Sequence, residues 1–297
     1  MKKFLSIIMA LVLSTLTLVG CQKVVSDTKK IGLIVSTLNN PFFVDLRDGV
    51  QAKAKELGYE VVVLDSQNDP AKEISNMEDI TVKNVDVVLL NPVDSDSAVA
   101  SVMIANSSDL PVITVDRAAN GGDVVSHIAS DNIAGGEMAA NFLIEKLNGQ
   151  GNIVELEGIA GSSATRDRGK GFEDAIKSSS FSLVAKQSAD FDRTKGLSVM
   201  ENIIQSKSDI KAVFAQNDEM ALGAQKALES AGMKDVLVVG FDATDDAVDA
   251  VKKGTMAATV AQQPILIGET AVEEVHKVLS GEIIDAYIPV ELKLITK

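Results

Sequence analysis

Ile31-Gly-Leu-Ile-Val-Ser-Thr-Leu-Asn-Asn-Pro-Phe-Phe43 runs from an aliphatic segment through a polar one to two adjacent aromatic rings. The part from Ile31 to Val35 suits a strand buried on both faces, since each alternate side chain then meets an apolar layer. Ser36 to Asn40 falls at the carboxyl end of that strand, where open parallel sheets hold their ligands. Two readings of the next residues stay open. Asn40, Phe42 and Phe43 can be walls of a binding site for a ligand with apolar faces and polar edges. Alternatively, Asn40 caps a helix that Pro41 opens, and the two rings are its first core residues.

Outward from this stretch the pattern repeats. A helix over 41–57, stopped by Gly58, leads to a strand over 60–64, a helix over 70–83, a strand over 86–90, a helix over 95–107 and a strand over 111–115. Repeated β-α-β units require a parallel sheet with right-handed crossovers and helices on both faces. A second series starts after Gly151, with strands over 152–156, 181–186, 212–215 and 236–239 and helices from about Thr165, Thr194 and Asp218. Asp65 and Asp190 stand 125 residues apart, and Asn91 and Asn217, like Asp116 and Asp242, stand 126 apart. Helix caps account for one or two such pairs, whereas three in register point to two similar domains. Residues 124–132 and 257–261 read as crossover strands. If the helix over 268–280 and the strand-like tail over 287–295 return to the halves, the chain passes between domains three times, a hinge that permits closure. The expected fold is α/β, with two similar Rossmann-like domains. Residues 31–130 with 263–291 form the N-terminal lobe, and 131–262 with 292–297 the C-terminal lobe.

Before the first strand, Lys2 and Lys3 precede an uncharged run from Phe4 to Val19, and Leu18-Val-Gly-Cys21 follows. Basic, apolar and small residues in that order are the layout of an export signal over 1–20, too short for a comfortable membrane span. Cys21 is the single cysteine of the 297 residues, so neither an internal disulfide nor a cysteine zinc cluster can form. Leu-x-Gly-Cys resembles the lipobox of bacterial lipoproteins, which implies an acylated Cys21 and a tether over 21–30 that holds the folded part on the membrane. A plain signal with a chance Cys, or an uncleaved anchor, are the alternatives. The net charge is −14 and no basic run is clustered, which disfavours nucleic acid as a partner.

At the predicted strand ends stand Ser36, Asn40, Phe42, Phe43, Asn91, Asp116, Arg117, Arg168, Phe191, Asn217, Phe241, Asp242 and Gln262. Carboxylate, amide and guanidinium groups make paired hydrogen bonds to vicinal hydroxyls, and a Phe ring covers the C–H face of a sugar. The chain has only nine Phe and two Tyr and no Trp, so four Phe at strand ends are notable, although core packing is the ordinary role of each.

The segments over 36–43, 63–68, 91–96, 111–117, 158–169, 189–193, 214–223 and 239–242, among them Ala-Asp-Phe-Asp-Arg, Phe-Ala-Gln-Asn-Asp-Glu-Met and Val-Gly-Phe-Asp, resemble the bacterial ribose-binding proteins, a family of the periplasmic-binding-protein superfamily. The similarity spans essentially the whole mature chain. It implies a type I fold of two lobes and a three-segment hinge, capture of D-ribose, and delivery to an ABC transporter permease, with a chemoreceptor as a further candidate partner and a monomeric state. It implies that Asn40, Asp116 and Arg117 from one lobe, and Arg168, Asn217 and Asp242 from the other, bond the sugar hydroxyls. Phe42, Phe43 and Phe191 would cover its faces, Phe241 would help line the pocket, and Gln262 would be the contact near the hinge. Ala243 departs from the family, in which Gly usually follows Phe-Asp. Another monosaccharide or furanosyl signal (allose, galactose, autoinducer-2-like) is the alternative ligand.

An enzyme reading finds little support. His127 sits in a strand-like run and His276 in a helix, no phosphate-cradling glycine motif follows a strand, and no cofactor is implied. Asp94 and Asp96, like Asp245 and Asp246, read as helix caps rather than metal ligands. Sugar-responsive repressors share the two-lobed core, but they carry a DNA-binding motif where this chain has its signal and tether.

Overall fold

The computed structural model describes residues 28–297, and in them twelve strands and nine helices alternate. The expected export signal over 1–20, Cys21 and the expected tether up to residue 27 lie outside the described residues. The first sheet is parallel throughout: β1 (Lys30–Val35), β2 (Glu60–Asp65), β3 (Val87–Leu90), β4 (Val112–Val115), β5 (Ser126–Ser130) and β11 (Tyr287–Val290), in the order β2-β1-β3-β4-β5-β11. The second holds β6 (Gln150–Glu157), β7 (Ser180–Ser188), β8 (Ile210–Ala215), β9 (Leu237–Asp242), β10 (Ala258–Ala261) and β12 (Lys293–Thr296), in the order β7-β6-β8-β9-β10-β12. Strand for strand the two orders coincide, so Asp116 and Asp242 leave equivalent strands, as do Asn91 and Asn217. Only the last strand differs, since β12 runs antiparallel to β10.

The alternation within β1 shows why the strands are apolar throughout. Ile31, Leu33 and Val35 face Leu46 and Val50 of α1 (Pro41–Glu56) and Ala271 and Val275 of α9 (Pro264–Leu279), whereas Ile34 faces Met77 and Ile80 of α2 (Pro70–Thr81). α3 (Ala98–Ser107) completes that second layer. In the other lobe, α4 (Asn132–Leu147) and α5 (Ser163–Ile176) cover one face, and α6 (Arg193–Ser206), α7 (Asp218–Ser230) and α8 (Asp245–Lys253) the other. A sheet covered on both faces needs continuous aliphatic strands. Helices α1 and α9 cross almost backbone to backbone. A Cβ at Gly49 would lie 2.3 Å from the Ile265 carbonyl oxygen, and one at Gly268 2.3 Å from that of Leu46.

The chain passes between the sheets after β5, after β10 and between β11 and β12. The tail over 287–295 is therefore two strands rather than one, because Glu291 and Leu292 carry the chain across. The last helix begins at Pro264, four residues earlier than its apolar pattern indicates. Helix α4 opens with the Ala- and Gly-rich segment Asn132-Ile-Ala-Gly-Gly-Glu-Met-Ala-Ala140, whose small buried residues give no clear apolar stripe, so the periodicity over-looks it.

Candidate functional site

The opening stretch both caps a helix and lines a cavity. Asn40, in extended backbone, accepts the Phe42 N–H on Oδ1 at 3.0 Å and caps α1, and Pro41 occupies the first helical turn. The cap turns Phe42 and Phe43 into a small, closely walled cavity between the lobes. Its walls are Asn40, Phe42, Phe43, Asp116 and Arg117 from one lobe, and Ala164, Arg168, Phe191, Asn217, Asp242 and Gln262 from the other. Every predicted site residue except Phe241 is in this wall. Phe241 is fully buried one layer behind, where its ring supports the Arg168 guanidinium 3.8 Å above its centroid. Ser36 and Asn91 are likewise beneath the surface. The Asn91 side chain accepts the Ser36 N–H at 3.1 Å and donates to Asp116 Oδ2 at 3.2 Å, so it aims the carboxylate rather than lining the cavity.

The strand exits are twisted to present these groups. Asp116 (φ 61°), Phe191 (φ 58°) and Asp242 (φ 121°) all have positive φ, a conformation costing on the order of 1–3 kcal/mol at each non-glycine residue. Specific bonds hold them there. Asp116 N–H donates to the Ile128 carbonyl at 2.8 Å, and Asn217 Nδ2 donates to the Phe191 carbonyl at 3.3 Å while its Oδ1 caps α7. Ala243, also in the left-handed region at φ 59°, donates to Thr259 Oγ1 at 3.3 Å. That φ is the physical reason for a glycine preference at this position.

Two carboxylates and two guanidinium groups meet in the cavity, all nearly inaccessible to water. Arg117 Nε lies 3.8 Å from Asp116 Oδ2, and Arg168 Nη1 lies 3.8 Å from Asp242 Oδ1. Burial pushes the Asp242 carboxyl up to about 7, against the opposing pull of Arg168 and of Gln262, whose Nε2 donates to it at 2.9 Å. Burial likewise lowers Arg117 to about 10 and lowers Arg168. The Arg117 guanidinium sits 5.0 Å from the Phe43 ring centroid and 5.1 Å from that of Phe191, so one cation bridges aromatic rings of both lobes. Around the cavity the lobes touch directly. Ser95 N–H donates to the Gly161 carbonyl at 2.9 Å, Arg166 Nη2 to Ser95 Oγ at 3.2 Å, and Ala118 N–H to Ser163 Oγ at 2.9 Å. The cleft is shut in this conformation.

The wall contains no histidine, cysteine or serine, and its chemistry is that of hydrogen-bonding forks and ring faces. His127, in β5, pairs with Thr114 Oγ1 at 2.9 Å, and His276 with the Tyr59 hydroxyl at 2.5 Å; neither is in the wall. Three residues important to the site are absent from the sequence reading. Ala164 lines the cavity, while Asn132 Oδ1 and the Gln216 carbonyl accept Arg168 Nε at 2.8 Å and Nη1 at 2.7 Å. None of the three carries a side-chain signal of its own, although Gln216 immediately precedes Asn217.

Comparison with known proteins agrees with this architecture. The description "Periplasmic binding protein domain" matches residues 31–283. The chain is 59% identical to the ribose import binding protein of Haemophilus influenzae over 90% of this chain and 91% of that one. It is 52% identical to that of Escherichia coli K12 over 100% and 99%, and 48% identical to that of Bacillus subtilis over the full length of both. The chain belongs to the periplasmic binding protein family. A solved relative, an ABC transporter solute binding protein from Bacillus halodurans with bound myo-inositol, superposes with a TM-score of 0.85 at 35% identity, covering 91% of this chain and 94% of that one. As a periplasmic binding protein, the chain is a substrate-binding component of an ABC importer rather than an enzyme, and it works on the extracytoplasmic side.

Proposed function

We propose that the cavity binds D-ribose, held between the lobes until an ABC permease receives it. The observation that carries this reading is a set of unpaired polar atoms around one small space. Asp116 Oδ1, Arg117 Nε and Gln262 Oε1 are buried and have no hydrogen-bond partner within the protein. Leaving such groups unpaired costs about 1–3 kcal/mol each, more for charged ones. Sugar hydroxyls, which both donate and accept, match two acceptors and a donor. In this reading Asn40, Arg168, Asn217 and Asp242 bond the remaining hydroxyls, Phe42 and Phe43 pack on one face of the ring, and Phe191 packs on the other. The names of the relatives at 48–59% identity favour ribose among the sugars.

Closure follows from the arrangement. The N-terminal lobe (31–130 with 263–291) and the C-terminal lobe (131–262 with 292–297) each present half of the contacts, so a sugar between them stabilises the shut form. The shut lobes then offer the permease, and a chemoreceptor where there is one, a surface that the open form lacks. The protein acts as a monomer, and acylated Cys21 tethers it after the signal over 1–20 is cut. Titration calorimetry with D-ribose, D-allose, D-galactose and L-arabinose tests the ligand. Heat with ribose at the lowest Kd is expected, and no heat with ribose alongside tight binding of another sugar would overturn the assignment. Intact mass of the exported protein tests the anchor, since retained residues before Cys21 or the absence of acyl mass would refute it.

A further inference from the structure

A carboxylate outside the cavity is joined to it through one amide. Glu155, on β6, is fully buried, and its Oε1 accepts Gln216 Nε2 at 2.8 Å. The same amide's Oε1 accepts the Gly158 N–H at 3.0 Å. Because Glu155 admits only a donor at Oε1 while the carboxylate is ionised, and Gly158 N–H admits only an acceptor, the two together fix which way the Gln216 amide faces.

Both ends of this connection reach site residues. Gly158 is the floor under Phe191, since a Cβ there would lie 2.0 Å from the ring. The Gln216 carbonyl accepts Arg168 Nη1 at 2.7 Å, and the next residue is Asn217. Gly169, adjacent to Arg168 on α5, packs on the same pair: a Cβ there would meet Gln216 Nε2 at 3.0 Å and Glu155 Oε1 at 3.3 Å. One hydrogen-bonded pair therefore lies under the Phe191 ring, the Arg168 fork and the Asn217 cap. The charged groups that act on Glu155 from the surrounding elements are Lys186 on β7, Glu173 on α5 and Glu157 further along β6.

We propose that Glu155 is a positioning residue for the sugar site, acting through Gln216 to set the C-terminal lobe's half of the contacts. The proposal rests on the reading that the cavity binds a sugar. Glu155→Leu removes the acceptor and leaves Gln216 Nε2 buried without a partner, so its folding is checked alongside its binding. With the acceptor gone, the Gln216 amide loses its orientation. The expected result is a rise of about tenfold or more in the Kd for D-ribose, as for one lost charge-assisted hydrogen bond. Glu155→Gln keeps an oxygen for Gln216 Nε2 and should stay within about threefold of the native Kd on the same scale.

A swapped pair provides the second arm. Gln216→Glu sets two acids against each other and should weaken ribose binding, whereas the double variant Glu155→Gln with Gln216→Glu restores a donor facing an acceptor and should recover the affinity. Native-like binding by Glu155→Leu overturns the proposal. If that variant does not fold, equal affinities for Gln216→Glu and the double variant overturn it, and recovery by the swap supports it. A native protein that ignores ribose but binds another sugar refutes the ribose reading alone, and the variant-to-native ratio measured with that sugar then decides the role of Glu155.

Discussion

Replacing Arg117 with methionine separates binding from folding. In the shut form its guanidinium is buried between Phe43 and Phe191, and its Nε has no hydrogen-bond partner within the protein. The variant loses a charged donor to the sugar, worth about 1.5–3 kcal/mol. It also loses the contact with Phe191 of the opposite lobe, worth on the order of 0.5–2 kcal/mol, which exists only while the cleft is shut. Together these give about 3 kcal/mol, or a little over a hundredfold in Kd. In the open form Arg117 and Asp116 face water, where such a pair contributes at most about 1 kcal/mol. Asp116 also keeps its bond from Asn91 Nδ2 at 3.2 Å. Calorimetry with D-ribose and urea unfolding without sugar should therefore diverge, with affinity falling steeply and stability barely moving. A Kd within threefold of native, or equal losses in both measurements, would refute the reasoning.

Three further outcomes are expected. Asn40→Ala should cost about 1 kcal/mol of folding stability through the lost cap, yet weaken ribose binding more than tenfold; equal losses would make Asn40 a cap and nothing more. Ala243→Gly should raise the stability of the unliganded protein by about 0.5–1 kcal/mol, since the left-handed backbone costs an L-residue about 1–2 kcal/mol and the extra freedom of glycine when unfolded returns only part of it; no change in the urea midpoint would count against strain at φ 59°. Burial holds the Glu155 carboxyl up at about 7, so the folded state keeps its proton more tightly than the unfolded chain does. Its contribution is present below its ordinary range and is lost as pH rises through 7. The native protein should thus lose roughly 3 kcal/mol from this group between pH 4 and pH 8, and Glu155→Gln should show a flatter dependence in urea unfolding.

The fold was legible because both sheets are sandwiched between helices, which forces uninterrupted aliphatic strands, and because polar residues recur in register at their ends. The candidate site was legible for the same reason: Asn40, Asp116, Asn217 and Asp242 stand where strands stop. Residues that work from behind were not. Gln216 holds Arg168 through a backbone carbonyl, which no side-chain pattern signals, and Asn132 comes from a helix whose small residues conceal its periodicity. Phe241 shows the converse error. A ring beside a strand-end aspartate reads as cavity wall, yet β-strand alternation sends it to the opposite face, under Arg168. Asn91 and Asn217 occupy matching strand ends but differ in use, since one aims Asp116 and the other lines the cavity.

The most direct measurement is a crystal structure of the protein grown with D-ribose. The account predicts one sugar in the cavity between the sheets, with ring hydroxyls within about 3.2 Å of Asp116 Oδ1, Arg117 Nε and Gln262 Oε1 and the ring faces against Phe42, Phe43 and Phe191. A sugar bound elsewhere, or seated there with those three atoms still unpaired, would contradict it.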